Sequence, residues 1–221
     1  MKCLILFTLK QLQMPIHSIL IPKPNTKIAV WKITESLDYF NSKVKLTPNS
    51  KMRLDGMKSE SHQKGFLAVR MALNALGYAD IDLYYSEYGK PFLKDGKNIS
   101  ITHSFDFSVV IISDEAVGID IEWCRDKVQR IEQKFVHPKE FFYPKNEYLN
   151  TFLTVIWGVK ESVYKMYGEK GLSFLDHIKV NPFDLRELKG TVAVDFSNQK
   201  SSFIFHFRKI ENFVLVFTFN I

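Results

Sequence analysis

Cysteine is scarce in this chain, and long apolar runs are missing. Its 221 residues include two cysteines, Cys3 and Cys124, too few for a disulfide framework or a zinc site. We therefore expect a reducing, cytoplasmic compartment. No segment approaches the roughly 20 apolar residues that span a bilayer, so no membrane association is expected.

The N-terminus also lacks the marks of a secretory signal. Its apolar run is short, ends at Lys10 and has no small-residue cleavage site. Because Met14 would also serve as a start, we predict that residues 1–14 are a dispensable extension.

Composition indicates a globular protein with anionic partners. Hydrophobic residues make up 46% of the chain, enough to bury the core of one large or two small domains. The net charge of +6 and pI near 9.1 favour nucleotide phosphates, an acidic protein or nucleic acid as partners. Charge alone does not choose among these three.

Hydrophobic periodicity predicts an α+β chain. We expect residues 107–112 and 116–122 to pair as an antiparallel hairpin, as well as 201–207 with 213–219. The order strand, helix, strands occurs twice, which predicts an N-terminal α+β half at 15–113 and a C-terminal half at 114–221. The remaining predicted elements are strands at 28–33, 83–85, 100–102, 177–180 and 191–196 and helices at 56–77 and 151–167.

Two carboxylates share one face of a predicted strand. In residues 117–122, apolar side chains alternate with Gly118, Asp120 and Glu122, so the two acids lie roughly 7 Å apart along the strand. For an arbitrary pair of this kind, the solvent-exposed face of a strand would be the ordinary interpretation. Gly118, on the same face, favours a site instead because it allows another element to approach closely.

The helix predicted at 151–167 carries a third carboxylate beside its apolar stripe. Glu161 and Lys165 are four residues apart, a spacing also typical of a surface ion pair. Together with Trp157 and Lys160, the spacing favours a ligand site. Three carboxylates suit Mg²⁺, which takes few carboxylates and completes its octahedron with water and phosphate oxygens. The stripe itself consists of Phe152, Val155, Ile156, Val159, Val163 and Met166.

These two segments resemble the signature motifs of the 4'-phosphopantetheinyl transferases, specifically the surfactin-synthetase-activating type. Shorter matches occur in the same order at residues 89–91, 99–104, 135–140 and 168–172. Any one motif is weak, but several in sequence are a strong signal. Thr102 stands where the family usually has serine, a hydroxyl-for-hydroxyl change.

The resemblance implies a pseudo-twofold pair of α+β halves with the active site in the cleft between them. It implies an enzyme that transfers 4'-phosphopantetheine from coenzyme A to a serine of an apo acyl or peptidyl carrier protein. The products are holo carrier protein and 3',5'-ADP. We expect a monomer, since one chain holds both signatures and its own N-terminal half. We also expect that the protein does not bind nucleic acid.

The resemblance also assigns residues. Asp120, Glu122 and Glu161 would hold Mg²⁺, and Glu161 would take the serine proton directly or through a metal-bound water. Lys165 would stabilise charge on the leaving oxygen. Asp120 counts with these two as catalytic. The expected coenzyme A contacts are Lys51, Lys90, Pro91, Thr102, His103 and Lys165.

The residue pattern alone leaves two other functions possible. A non-catalytic nucleotide- or RNA-binding domain fits the basic pI, but three carboxylates would repel phosphate unless a metal is bound. A Mg²⁺-dependent coenzyme A pyrophosphatase would use the same acids without a protein acceptor.

Arg70 is interpreted as an anchor between helix and sheet, and the aromatic residues of 203–219 as the core face of a hairpin.

Overall fold

The computed structural model describes residues 16–140, 142, 146–168 and 170–221. The predicted extension at residues 1–14 lies outside these ranges. The described part of the chain is α+β, as predicted. The strands are β1 (Ile16–Lys23), β2 (Thr26–Lys32), β3 (Leu83–Tyr85), β4 (Pro91–Leu93), β5 (Asn98–Ser104), β6 (Phe107–Ser113), β7 (Val117–Trp123), β8 (Ile178–Val180), β9 (Lys189–Phe196), β10 (Gln199–Ile210) and β11 (Phe213–Asn220). The helices are α1 (Leu37–Lys43), α2 (Pro48–Asp55), α3 (Glu60–Ala75), α4 (Lys127–Arg130) and α5 (Leu149–Tyr167).

Two antiparallel sheets and a short hairpin make up the β-structure. The first sheet has the order β1-β2-β6-β5, and the second has the order β7-β11-β10-β9-β8. Within the described ranges, strands β3 and β4 pair only with each other. None of the described helices is both long and apolar enough to cross a lipid bilayer.

A shared apolar layer holds the two sheets face to face. Side chains of β2 and β6 pack there against those of β7 and β11. Helix α3 covers the outer face of the first sheet, and α5 covers the outer face of the second. Each fully buried aliphatic or aromatic side chain contributes about 1.5–3 kcal/mol. Hydrophobic burial therefore holds the two sheets together, and this contact does not depend on the polar groups near the site.

The predicted hairpin between 107–112 and 116–122 is wrong. Strand β6 is buried along its whole length and pairs with β2 on one side and β5 on the other. A strand with both edges occupied has no place for a third partner, so the chain crosses to the second sheet. There β7 pairs with β11.

The helix predicted at 56–77 begins later than expected. Helix α2 ends at Asp55, and α3 starts at Glu60. The helix predicted at 151–167 corresponds to α5, which ends at Gly168 in the left-handed conformation with a φ of 66°, the usual helix terminator.

The C-terminal aromatic residues occupy both faces of their hairpin. Phe203, Phe205 and Phe207 pack under α5, whereas Phe217 and Phe219 join the layer between the sheets. The prediction of a core role is confirmed, and the prediction of a single face is wrong. The pairing register explains this result, because it sets Phe205 opposite Thr218.

Candidate active site

Besides packing face to face, the two sheets touch along one pair of edge strands, where β5 of the first sheet lies beside β7 of the second. The amide of Ile119 donates to Ser100 Oγ at 3.2 Å, and the amide of Ile121 donates to Thr102 Oγ1 at 3.4 Å. Side-chain hydroxyls thus satisfy backbone donors on the free edge of β7. This junction brings Thr102 next to Asp120.

Glycines allow α5 to lie against β7 and β11. A Cβ built on Gly118 would lie 1.9 Å from the carbonyl oxygen of Ser162, and one built on Gly158 would lie 2.7 Å from Val216 Cγ2. Both distances are below any real Cβ contact, so only glycine permits this approach. The close approach predicted for Gly118 is confirmed.

Asp120 is the centre of the site. Its side chain is 3% exposed, and its Oδ1 accepts hydrogen bonds from Lys165 Nζ at 2.7 Å and Thr102 Oγ1 at 3.0 Å. Its other oxygen, Oδ2, is buried without a hydrogen-bond partner among the described residues. A buried carboxylate oxygen left unpaired is costly, so this atom calls for a ligand.

The two other acids sense Asp120 electrostatically. Burial and then the Asp120 carboxylate raise the pKa of Glu161 to about 7. The same two causes, in that order, raise the pKa of Glu122 above its ordinary value, although Lys165 acts in the opposite direction. The three carboxylates of Asp120, Glu122 and Glu161 therefore lie close enough to repel one another, and the single positive charge of Lys165 does not balance them.

These acids fit a divalent cation in donor type. Asp120 Oδ2 is available, and carboxylate oxygens are the ligands that Mg²⁺ prefers. Within the described ranges, His, Cys, Asp and Glu side chains nowhere gather in threes into a ready-made metal cluster. The fit thus rests on the unpaired oxygen and on the converging charge.

Lys160, next to Glu161 in the motif, points away from the acids. It is fully buried, and its Nζ donates to Glu140 Oε2 at 2.7 Å and to the carbonyls of Phe174 and Ile178. Glu140 Oε1 in turn accepts from the amide of Val180 at 2.7 Å. Lys160 therefore anchors α5 to β8, and its described hydrogen-bond partners all lie outside the candidate site.

A cleft of about 580 Å³ opens beside Lys165. Its walls come from the 85–91 segment and β5 on one side and from the end of α5 on the other. Three of the residues expected to contact coenzyme A line it, namely Lys90, Pro91 and Lys165. The remaining lining residues are Tyr85, Glu87, Tyr88, Gly89, Ser100, Ile101, Tyr164, Gly168 and Lys170.

Three predicted coenzyme A contacts, Lys51, Thr102 and His103, are not among the described residues that line this cleft. The hydroxyl of Thr102 instead donates to Asp120. Lys51 lies on α2, where its ammonium pairs with Asp55 at 2.8 Å. His103 faces α3, where a Cβ on Gly65 would come within 2.8 Å of its ring. Its partly buried position, with His62 and Lys165 nearby, lowers the pKa of His103.

Sequence reasoning missed the serines on either side of Thr102. Ser100 and Ser104 are buried, and Ser104 Oγ donates to Glu122 Oε2 at 3.3 Å. A hydroxyl at every second position of 100–104 was the available signal, since alternate residues of a strand share a face. Cleft residues such as Tyr88 and Lys170 had no local signal.

Comparison with known proteins gives a consistent result. Residues 116–218 match the family model of the 4'-phosphopantetheinyl transferase superfamily. That range contains β7 and α5 and therefore every carboxylate of the candidate site.

Three bacterial proteins illustrate the similarity. The chain is 31% identical over 119 residues to 4'-phosphopantetheinyl transferase gsp of Aneurinibacillus migulanus, covering 52% of this chain and 48% of that protein. It is 30% identical over 157 residues to 4'-phosphopantetheinyl transferase ffp of Bacillus subtilis, covering 66% and 70%. It is 27% identical over 179 residues to 4'-phosphopantetheinyl transferase Sfp of Bacillus subtilis strain 168, covering 76% and 77%. The first of these alignments thus spans about half of the relative's length.

Proposed function

The chain belongs to the 4'-phosphopantetheinyl transferase superfamily, and on that premise we propose that it transfers 4'-phosphopantetheine from coenzyme A to a carrier-protein serine. The acceptor is an apo acyl or peptidyl carrier protein, and 3',5'-ADP is the second product. The three bacterial relatives carry the transferase name, which supports the class of reaction. The cofactor, the acceptor and the residue roles are the more specific part of the proposal.

One observation carries the proposal to the residue level. Asp120 is buried with one oxygen bound to Lys165 and the other unpaired. A diphosphate bridged by a cation would meet both features, since the free oxygen suits the metal and the ammonium suits the phosphate. Bound Mg²⁺ would neutralise the diphosphate and stabilise charge developing on its oxygens.

The chain's own residues then have distinct roles. In the reaction, the serine Oγ forms a bond to the β-phosphorus while the bond from that phosphorus to the bridging oxygen breaks. Glu161 is assigned the serine proton, and Lys165 faces the negative charge that leaves with 3',5'-ADP. Thr102 holds Lys165 and Asp120 in register through its hydroxyl.

The cleft is the proposed nucleotide site. Its 580 Å³ is in the range of small-molecule pockets. Pro91 and the tyrosines at 85, 88 and 164 provide flat apolar surface for a base. Lys165 connects the cleft to Asp120, so a nucleotide bound there would extend its diphosphate toward the acids.

Intact-protein mass spectrometry tests the proposal. Several apo carrier proteins are incubated with this protein, coenzyme A and Mg²⁺, with and without EDTA. We expect a mass gain of one phosphopantetheine on at least one carrier, lost when EDTA is present. Cleavage of coenzyme A without any gain on a carrier would instead identify a pyrophosphatase. Nucleotide or RNA binding that persists in EDTA, without turnover, would identify a non-catalytic binding domain.

A further inference from the structure

The Lys90 side chain reaches across the cleft to the end of α5. Its Nζ donates to the carbonyl of Met166 at 2.8 Å and to that of Tyr167 at 3.3 Å. The last four carbonyls of a helix have no backbone N–H within the helix to donate to them. A cation at this end also interacts favourably with the helix dipole. Lys90 is therefore a C-terminal cap supplied from the other half of the molecule.

Gly168 makes room for this cap. It ends α5 in the left-handed conformation, and its amide donates to the carbonyl of Tyr164 at 2.9 Å. A Cβ built at this position would lie 2.4 Å from Lys90 Cδ and 3.0 Å from Nζ. Glycine is thus required twice, once by the backbone angle and once by the lysine.

The turn that presents Lys90 is itself well ordered by hydrogen bonds. The amide of Ser86 donates to the carbonyl of Lys90 at 2.9 Å, and the amide of Lys90 donates back to Ser86 Oγ at 3.2 Å. A second contact runs in the opposite direction, because Lys170 Nζ lies 4.3 Å from the centre of the Tyr88 ring. Two cations, one from each side, thus join this turn to the end of α5.

The capped turn of α5 is the one that carries Lys165. From that turn, Lys165 Nζ reaches Thr102 Oγ1, the carbonyl of Ile119 and Asp120 Oδ1. A shift of about 1 Å in a catalytic group can cost about a hundredfold in rate. The position of the last turn of α5 should therefore affect the rate of transfer, because it determines where the Lys165 ammonium lies.

We propose that Lys90 is a positioning residue that caps α5 across the cleft and so holds Lys165 in contact with Thr102 and Asp120. This inference rests on the proposed function. It gives Lys90 a role different from that of a phosphate ligand, while its backbone and Pro91 remain part of the cleft wall.

The test compares Lys90→Met, which keeps the length but removes the donors, with Lys90→Arg, which restores donors. Lys94→Met, a change at an exposed lysine of the same half, is the matched control. For Lys90→Met we expect kcat to fall about tenfold and the Kd for coenzyme A to change less than about twofold. Lys90→Arg should recover most of the lost kcat. A weaker Kd for coenzyme A with unchanged kcat would overturn the proposal and make Lys90 a ligand.

Hydrogen exchange gives a readout that does not depend on transfer. In Lys90→Met, the amides of residues 164–168 should exchange faster than in wild type, while those of α3 should not change. If no carrier is modified even by wild type, this result still supports the cap and only the proposed function fails. Unchanged exchange at 164–168 would overturn the cap itself.

Discussion

Gly118 sets the distance between the strand and the helix that carry the acids. Its position on the same strand face as Asp120 and Glu122 follows from alternation alone, and the structure confirms it. What alternation could not predict is the group that approaches. That group is the backbone carbonyl of Ser162, a neighbour that no rotamer change can move aside.

Gly118→Ala should therefore be among the most damaging small substitutions in this protein. The added methyl forces α5 away from β7, and we expect a loss of about 1–3 kcal/mol of unfolding free energy. Transfer should fall as well, since Glu161 moves with the helix. Denaturant unfolding and a transfer assay measure both effects.

Gly56→Ala is the matched control for this experiment. Gly56 has a φ of −75°, and a Cβ there would come no closer than 3.6 Å to its nearest atoms. Stability and transfer should both remain near wild type. Equal behaviour of the two variants would contradict the close packing described for Gly118.

Helix α5 combines three functions on three faces. The predicted apolar stripe is buried and packs on the second sheet. Glu161 and Lys165 face Asp120, and Lys160 enters a buried network with Glu140. Periodicity predicted the stripe because burial repeats with the helical turn. It could not separate Lys160 from Glu161, since a buried lysine depends on a partner twenty residues earlier in the chain.

Lys160→Met tests the structural role of that lysine. Removing one partner of a buried ion pair costs about 3–5 kcal/mol. In this variant the Glu140 carboxylate would keep the backbone amides of His137 and Val180 as donors but lose its counter-charge. We expect a large drop in melting temperature, with kcat per folded molecule close to wild type at a temperature where the variant is folded. A stable variant that has lost kcat would instead place Lys160 in the reaction.

Helix α3 is fixed by a second buried pair. Arg70 Nε donates to Asp80 Oδ1 at 2.9 Å, and the guanidinium lies 3.5 Å from the centre of the Phe66 ring. Arg70 is therefore structural, as predicted, but it ties α3 to Asp80 and to Ser50 of α2, so the predicted anchor to a sheet is wrong. Burial acts to raise the pKa of Asp80, but hydrogen bonds from Thr47, Arg70 and Ser50 outweigh it, so the pKa lies below the ordinary value of 3.8.

This lowered pKa predicts a dependence of stability on pH. The contribution of Asp80 is complete above its unfolded pKa and is lost as the pH falls through the lower folded pKa. Asp80→Asn should therefore lose about 3 kcal/mol of unfolding free energy at neutral pH. The gap to wild type should narrow below about pH 4. A gap that stays constant down to pH 2 would show that the Asp80 charge contributes nothing.

The molecule as a whole is two sheet-and-helix units joined by an apolar layer, with the candidate site at their edges. Local pattern predicted most strands of both units, because alternation is a local property. Long-range pairing was beyond it. The local hairpin predicted for 107–122 lost to pairing of β7 with β11, which lies some ninety residues later in the chain.

Net charge is a property of the whole molecule, and it predicts how partners approach. A chain of charge +6 should attract an acidic carrier protein, and salt screens such attraction. We expect KM for the carrier to rise with ionic strength while kcat stays nearly constant. Steady-state kinetics at increasing NaCl concentrations measure this, and a KM independent of salt would contradict electrostatic steering.

The most direct test of the central claim is the transfer rate of Asp120→Ala. The variant is compared with wild type on a carrier that wild type modifies, at saturating coenzyme A and Mg²⁺, after circular dichroism has shown that it is folded. We predict that the carrier gains no phosphopantetheine, because the oxygen expected to hold the cation and the partner of Lys165 are both removed. Modification of the carrier at the wild-type rate would contradict the claim that Asp120 is the centre of the active site.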